Sequence, residues 1–206
     1  MKVGFVVEGS DRSAGDVFAI RELCIRLASV HGVTRVPEVL AGGSKKELKE
    51  KAHDHLSSLR ELGCERIIFV WDNSPPWTLD VAELDHDVAE WEQGIRDVII
   101  DNDESLDGVE LVCARQEVEA WFLADGTAIR QVLKSIRNKS GINIKTVKIP
   151  ESVMKPKRHF IWKYWDDHFG RQPYGTEYRL LANHVGLEAL RSCPSFVRFE
   201  AAVVAP

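Results

Sequence analysis

The stretch that carries most information about the fold is Ile67-Ile68-Phe69-Val70-Trp71, an uninterrupted apolar run closed by Asp72-Asn73-Ser74-Pro75-Pro76. A run of this length, rich in branched and aromatic side chains and followed by turn-forming residues, is typical of a central strand buried on both faces. Three other stretches share this character: residues 3–7, 33–40 and 109–113. We therefore predict four strands, with Pro37 placing the second at an edge of the sheet.

Between these strands the apolar residues recur at helical spacing. The predicted helices cover residues 16–30, 45–62, 79–104 and 117–124, and Ser44 with Glu47 forms a capping box before the second. This alternation predicts an α/β fold, a mostly parallel sheet flanked by helices. Residues 138–158 are expected to be loop with short strands, and the chain is mainly helical from about residue 160. We divide it into an α/β core, residues 1–125, and a basic, mainly helical extension packed on the core, residues 126–206.

The composition narrows the class of protein. Of 206 residues, 44% are hydrophobic and 29% are charged, which is typical of a soluble globular protein. No apolar run approaches the ~20 residues that span a bilayer, and the N-terminal run stops at Glu8, too early for a signal peptide. The four cysteines include no C-x-x-C pair, which argues against a zinc or redox motif. We expect a cytoplasmic protein with reduced thiols and no membrane segment.

The charge is unevenly distributed along the chain. A net charge of −5 argues against a general nucleic-acid coat protein. Residues 130–163, however, hold ten basic residues and a single acid, Glu151, whereas residues 1–129 hold 13 basic and 26 acidic residues. Such asymmetry suggests that one surface faces a polyanion. A solvated basic loop and helix face would explain the same pattern without any ligand.

Two acidic residues stand where predicted strands end. Glu8 follows the first strand and Asp72 follows the central one. Ligands of open α/β sheets bind beyond the carboxyl ends of the strands, and the first and third strands of such sheets are commonly neighbours. Two adjacent carboxylates repel each other, and a divalent cation relieves that repulsion. Because carboxylate oxygens suit Mg²⁺ or Mn²⁺, a metal site at Glu8 and Asp72 is predicted.

The candidate residues also have structural explanations. Asp72 opens a good turn sequence, while Glu117 and Glu119 open a helix, where acids favour the positive end of the helix dipole. Gly42-Gly43-Ser44 could bind a phosphate through backbone N–H groups, although the spacing of a P-loop is absent. The two histidines of the second helix have no partner acid motif and are expected to face solvent: His53 and His55.

Several short motifs occur in a fixed order along the chain. The most specific is Ala114-Arg115-Gln116-Glu117-Val118-Glu119-Ala120-Trp121-Phe122-Leu123-Ala124-Asp125. The others are Val6–Ser10, Gly42–Lys45, Pro150-Glu151 with Lys155–Lys157, Tyr174 and Cys193–Phe196. In this order they resemble a bacterial family named domain of unknown function 4276, which is related to the Toprim domains of topoisomerases, primases and OLD-type nucleases. The resemblance covers most of the chain and implies a Toprim-like, Rossmann-like α/β fold.

The resemblance also implies a metal-dependent site. In Toprim nucleases a Glu of the first motif and a D-x-D pair bind Mg²⁺ for phosphodiester chemistry. Glu8 and Asp72 match two of these positions, but Ser74 stands where the second Asp is expected. Serine ligates only as a neutral oxygen, so the metal is held more weakly, another acid substitutes, or catalysis is lost. The substitutes are Glu117 and Glu119, with Asp11 or Asp16 behind them.

Phosphodiester cleavage also needs positive charge on the scissile phosphate. Lys155 or Lys157 would supply it, although an exposed basic loop explains the same residues. Contacts to nucleic acid are expected from four residues: Arg115, Lys155, Lys157 and Arg158.

These observations predict a Mg²⁺- or Mn²⁺-dependent phosphodiesterase, a nuclease acting on DNA or RNA, within a bacterial defence system. The alternative is a catalytically inactive partner of an ATPase, because Toprim-like proteins of this sort resemble components encoded beside ATPases. Ser74 would then mark a dead site. A nucleotide-processing enzyme is a third option, but a small substrate would not need the basic residues of 130–163. A second copy of the chain is a further candidate partner.

Overall fold

The computed structural model describes residues 1–9, 15–73, 81–137 and 143–205, with side chains for all of these except 81–85, 137, 159 and 160. The strands are β1 (Lys2–Val7), β2 (Val36–Ala41), β3 (Arg66–Asn73) and β4 (Val109–Arg115). The helices are α1 (Gly15–Val30), α2 (Lys45–Glu50), α3 (Ala52–Glu61), α4 (Val81–Asp101), α5 (Val118–Leu123), α6 (Gly126–Arg137), α7 (Trp162–Phe169), α8 (Gly175–His184), α9 (Leu187–Leu190) and α10 (Pro194–Val204). A 3₁₀ turn (Pro150–Ser152) and a π-helical turn (Lys157–Ile161) precede α7.

The four strands form one parallel sheet in the order β2-β1-β3-β4. The predicted α/β fold with a parallel sheet and a mainly helical C-terminal part is therefore confirmed. β1 pairs with β3, so their carboxyl ends lie together. β2 is an edge strand, as Pro37 predicted, but it begins at Val36 and not at residue 33.

Side chains of the strands alternate between two buried clusters, one on each face of the sheet. Phe5, Ile68 and Val70 belong to one cluster, which α1, α5, α6, α7, α8, α9 and α10 complete. Val6 and Phe69 belong to the other, which α2, α3 and α4 cover. The strands are buried on both sides, and this explains why the central strand is continuously apolar and not alternating.

Some helix boundaries differ from the sequence prediction. The capping box of Ser44 and Glu47 is confirmed, with each residue bonding the other's backbone N–H. The single helix predicted over 45–62 is wrong, because Lys51 leaves helical geometry (φ −105°, ψ 18°) and separates α2 from α3. The long acidic helix covers Val81–Asp101 and ends three residues before the predicted position 104, while its predicted first residues, 79 and 80, lie outside the described residues. Within residues 143–158 the expected short strands are absent.

The C-terminal helices pack directly on the sheet and on α1. Trp121 of α5 lies against Phe196 and Phe199 of α10, with ring centroids 5.4 and 5.5 Å away. Phe199 also meets Phe5 of β1, at 6.0 Å. Residues on both sides of position 125 thus share one buried cluster, and the domain boundary proposed there stays a prediction. No helix in the described part of the chain is long and apolar enough to cross a membrane.

Candidate functional site

Glu8 and Asp72 lie side by side at the carboxyl edge of the sheet. Val7 of β1 is paired with Val70 of β3, and the next residue, Glu8, donates its backbone N–H to the carbonyl oxygen of Val70 at 2.9 Å. The Glu8 side chain turns to β3, where Oε2 accepts the backbone N–H of Asp72 at 3.0 Å. The strand order therefore places the two predicted acids together.

Asp72 links this edge to α5. Its Oδ1 accepts the backbone N–H of Val118, the first residue of α5, at 3.0 Å. α5 begins directly after β4, which pairs with β3, so Glu119 is brought to the same edge. The motif that contains these residues therefore serves to place Glu119 beside Asp72.

Asp16 and Glu119 enclose the ammonium group of Lys157. The Nζ atom lies 3.2 Å from Asp16 Oδ2 and 3.1 Å from Glu119 Oε1. Glu119 is fully buried and Asp16 is 6% exposed, so water screens neither carboxyl group appreciably. We call Glu8, Asp16, Asp72, Glu119 and Lys157 the acid cluster.

Tyr178 of α8 contacts the acid cluster from the buried core. Its hydroxyl donates to Glu119 Oε1 at 2.7 Å, and the ring is 97% removed from solvent. Gly15, at the start of α1, packs closely against that ring, because a Cβ built there would stand 2.5 Å from Tyr178 Cδ2. The absence of a side chain at Gly15 lets α1 approach closely enough for Asp16 to reach Lys157.

Burial and mutual repulsion raise the pKa values of three acids in the cluster. Desolvation is the largest cause for each, and the charge of Asp16 is the largest repulsive one for Asp72 and Glu119. The pKa of Glu119 rises to about 8, and those of Glu8 and Asp72 also lie above their usual range. Burial alone would lower the pKa of Lys157, but the charges of Glu119, Asp16 and Asp72 outweigh it and raise that pKa.

Two buried oxygens of the cluster have no hydrogen-bond partner among the residues that the structure describes: Asp16 Oδ1 and Glu119 Oε2. Buried carboxylate oxygens normally find a donor or a cation. The donor set, all carboxylate oxygen, suits Mg²⁺ or Mn²⁺. Among the described residues, however, no three Asp, Glu, His or Cys side chains already stand close enough together to hold a metal ion. The chemistry of the cluster fits a divalent cation, and its coordination shell is not preassembled.

The remaining predicted site residues are not members of the acid cluster. Glu117 does not join the cluster: its Oε2 accepts the backbone N–H of Lys157 at 2.7 Å. Lys155 adopts a left-handed backbone with φ of 49°. Three predicted nucleic-acid contacts are absent from the described lining of the cleft beside the cluster: Arg115, Lys155 and Arg158. Ser74 and Asp11 lie outside the described residues.

A cleft of about 700 Å³ opens beside the acid cluster. Glu8, Asp16, Asp72 and Lys157 line one part of it, and the rest is lined by Gly9, Ala41, Gly42, Gly43, Ser44, Glu47, Lys51 and His55. The cleft thus runs from the carboxyl ends of β1 and β3 to the junction of α2 and α3.

The proposed phosphate loop at residues 42–44 is wrong. Gly42 donates its backbone N–H to Val7, and Gly43 exchanges two hydrogen bonds with Gly9 at 2.8 and 2.9 Å. The N–H of Ser44 goes to the Glu47 carboxylate. Since all three donors are used internally, this loop forms a rigid wall of the cleft and has no free N–H for a phosphate.

His55 also departs from the sequence prediction. It lines the cleft, and its Nε2 is buried without a hydrogen-bond partner among the described residues, so it does not simply face solvent. Burial is the main cause that lowers the pKa of this imidazole. His53 is about one-third exposed and lies 3.2 Å from Asp54.

A second lysine approaches the cluster from the opposite face of the sheet. Lys45 of α2 donates to Asn73 Oδ1 at 3.3 Å, next to Asp72, and stands 4.4 Å from the centroid of the Trp91 ring. Its charge is the leading one that lowers the pKa of Glu8 against the dominant effect of burial. Each face of the sheet therefore supplies one lysine to the carboxylate edge.

Sequence reasoning named Asp16 only as a distant substitute and did not find Tyr178. Asp16 sits in the first turn of α1, where an acid is ordinary. Tyr178 is 59 positions from Glu119, and no local spacing relates the two.

Residues of three of the quoted motifs form a hydrogen-bonded network behind the site. Ser195 Oγ accepts from Trp121 Nε1 at 2.8 Å and donates to Glu151 Oε1, while the Ser195 backbone N–H reaches the same oxygen at 3.0 Å. The backbone N–H of Arg115 lies 3.4 Å from Ser195 Oγ. These hydrogen bonds fix α10 against the end of β4.

A family model described as "Domain of unknown function (DUF4276)" matches residues 8–203. Among solved structures, the C-terminal region of the Burkholderia pseudomallei OLD protein is similar, with 15% identity over 98% of both chains and a TM-score of 0.48. The C-terminal region of the Xanthomonas campestris pv. campestris OLD protein has 14% identity, over 98% of this chain and 95% of that one, and a TM-score of 0.43. No curated protein matches the chain.

Proposed function

The chain belongs to the family described as domain of unknown function 4276, and from that membership and the acid cluster we propose that it is a Mg²⁺- or Mn²⁺-dependent phosphodiesterase acting on DNA or RNA. The observation that carries the proposal is the convergence of four carboxyl groups and one ammonium at the carboxyl edge of a parallel sheet, where such folds bind ligands. The resemblance of the motifs to Toprim nucleases supports the same activity.

The electrostatics of the acid cluster favour the binding of a cation. Burial raises the pKa values of Glu8, Asp72 and Glu119, which means that their charged forms are destabilised in the protein. Glu8 and Asp72 would hold the divalent ion, and Asp16 Oδ1, which has no partner within the described parts of the chain, is a further oxygen for it. When bound, such an ion supplies Lewis-acid activation of water and of the phosphate.

Lys157 supplies the charge that the phosphate needs. Its ammonium has three N–H donors, of which Asp16 and Glu119 take two. The side chain lines the cleft, so its third donor can reach a phosphate oxygen of a bound substrate. Its raised pKa keeps the group charged throughout the physiological range. Glu117 fixes the backbone of the same residue and so fixes where the side chain begins.

A nucleic-acid substrate is favoured over a small nucleotide by the basic residues of the segment that carries Lys157. Lys157 belongs to the segment 130–163, in which ten residues are basic. Arg158, the next residue, is exposed. A polyanion that follows such a segment releases counterions on binding, so the affinity would fall steeply with salt. A mononucleotide would show a weaker dependence.

The direct test is cleavage of single- and double-stranded DNA and RNA with Mg²⁺ or Mn²⁺. Glu8→Gln and Asp72→Asn keep the shape of each side chain and remove its charge, and we expect each to lower cleavage at least a hundredfold. Glu110→Gln is the matched control, because Glu110 lies on β4 with a half-exposed side chain away from the cluster. Cleavage that survives both substitutions would refute the site. No cleavage with any substrate, together with co-purification of an ATPase, would favour the inactive binding partner.

A further inference from the structure

The position of Lys157 limits how many divalent cations the site can bind. Many enzymes that cleave phosphodiesters hold two metal ions about 3.5–4 Å apart. Building on the proposed function, we propose that the Lys157 ammonium fills the place of a second ion, so that the acid cluster takes one divalent cation, at Glu8 and Asp72.

The contacts of Lys157 leave little access to two of the acids. Asp16 Oδ2 and Glu119 Oε1 each accept from Nζ, at 3.2 and 3.1 Å. A Mg²⁺ ion binds oxygen at about 2.0–2.1 Å, so an ion between these two oxygens would have to displace the ammonium. Tyr178 also donates to Glu119 Oε1, which fixes that carboxyl group in its contact with the lysine.

The attachment of Lys157 opposes such a displacement. Its backbone N–H is held by Glu117 at 2.7 Å, at the start of the π-helical turn. Ile161, at the end of that turn, is fully buried. The backbone of the lysine is therefore anchored at its own position and four residues later, so the point from which the side chain extends is fixed, and the ammonium is held by its two ion pairs with Asp16 and Glu119.

The charge of the cluster also favours a single ion. Four carboxyl groups, those of Glu8, Asp16, Asp72 and Glu119, stand against the ammonium group of Lys157, while Lys45, on the other face of the sheet, forms an ion pair with Asp87 at 3.7 Å. When all four are ionised, three negative charges remain. One divalent ion offsets two of them, whereas a second would give the buried cluster a net positive charge, at a desolvation cost.

The test counts the Mn²⁺ ions bound to the full chain, by calorimetry and by electron paramagnetic resonance, which separates isolated from paired Mn²⁺. We expect one ion in the wild type. Lys157→Met removes the ammonium and frees Asp16 and Glu119, and we expect it to bind two ions that show a paired signal. Lys51→Met is the matched control, because Lys51 also lines the cleft but has no contact with the acid cluster, and it should still bind one.

The outcomes are distinguishable. Two ions in the wild type would overturn this inference and leave the proposed function standing, while no bound ion would overturn both. A folded Lys157→Met protein that still binds one ion would show that the lysine does not fill a metal position. Adding Asp16→Asn and Glu119→Gln to Lys157→Met should return the count to one. If Lys157→Met does not fold, the count and signal of the wild type decide between one ion and two.

Discussion

The carboxylate of Glu117 accepts the backbone N–H of Lys157 at 2.7 Å, across 40 positions of the chain. This hydrogen bond joins the residue before α5 to the turn that carries the lysine of the acid cluster. Two residues of one short motif therefore contact different parts of Lys157. Glu119 contacts its ammonium group, and Glu117 accepts from its backbone N–H.

Glu117→Ala should therefore misplace Lys157 without removing a metal ligand. A hydrogen bond to a charged acceptor contributes about 1.5–3 kcal/mol, so we expect cleavage to fall roughly tenfold or more. Glu117→Gln keeps an acceptor oxygen and should stay within about threefold of the wild type. Cleavage rates and Mn²⁺ titration check this. A loss of Mn²⁺ affinity in Glu117→Gln as large as that in Glu8→Gln would instead make Glu117 a metal ligand.

Gly15→Ala should destabilise the protein by about 1–3 kcal/mol, because the new Cβ would lie 2.5–2.6 Å from three carbons of the buried Tyr178 ring. Thermal unfolding measures this, and a chain of this size loses roughly 2–4 °C per kcal/mol. Gly94→Ala is the matched control, since its Cβ would meet only the flexible Lys49 side chain, and Ala favours a helix by up to about 1 kcal/mol. Equal effects of the two substitutions would contradict the close packing of α1 on Tyr178.

The free energy of unfolding of the metal-free protein should fall as the pH rises from about 4.5 to about 8. The pKa of Glu119 is about 8 in the folded protein and near 4.5 when unfolded, so the folded state binds this proton more tightly. The stabilisation from Glu119 is complete below pH 4.5 and is lost as the pH passes 8. Glu8 and Asp72, whose pKa values are also raised, act in the same direction.

Glu119→Gln should flatten that dependence by at most about 1.4 kcal/mol per pH unit, the value for one proton. Chemical denaturation at a series of pH values gives the slope. Glu110→Gln should retain the full slope, because this side chain is half exposed. An unchanged slope in Glu119→Gln would mean that another group carries the pH dependence.

Ser195→Ala should cost about 1–3 kcal/mol of stability, because it leaves the buried Trp121 indole N–H without its acceptor and removes one of the two donors that Ser195 gives to Glu151. Ser192→Ala, three positions earlier on an exposed turn, should stay within about 0.5 kcal/mol. Denaturant titrations of both variants make the comparison. If Ser195→Ala proved as mild as Ser192→Ala, the network would not hold α10 in place.

The sheet and the pair of acids at its edge could be predicted from the sequence, because both depend on local pattern. Apolar runs give the strands, and the acids that end β1 and β3 must meet once those strands are neighbours. Lys157 was predicted as a site residue from the motif resemblance, and no spacing in the sequence relates it to the acids. Its contacts with Asp16 and Glu119 depend on how the segment after residue 143 returns to the sheet, and nothing local determines that path.

At two places the local sequence pattern suggested a role that differs from the one the tertiary contacts give. An acid in the first turn of α5 looked like a partner of the helix dipole, yet Glu119 is fully buried against Lys157 and Tyr178. Gly42-Gly43-Ser44 looked like a phosphate loop, yet its N–H groups are used by neighbouring strands and a cap. Hydrogen-bonding capacity visible in a sequence is not necessarily available in the fold.

The ion pair between Asp16 and Lys157 spans 141 positions, and this has a consequence for biosynthesis. Translation delivers Glu8, Asp16, Asp72 and Glu119 to the solvent well before Lys157 leaves the ribosome. Burying those acids without their counter-charge is costly, so we expect a nascent chain to keep this edge hydrated and open. Closure would then wait for the lysine and for Tyr178, which is synthesised later still.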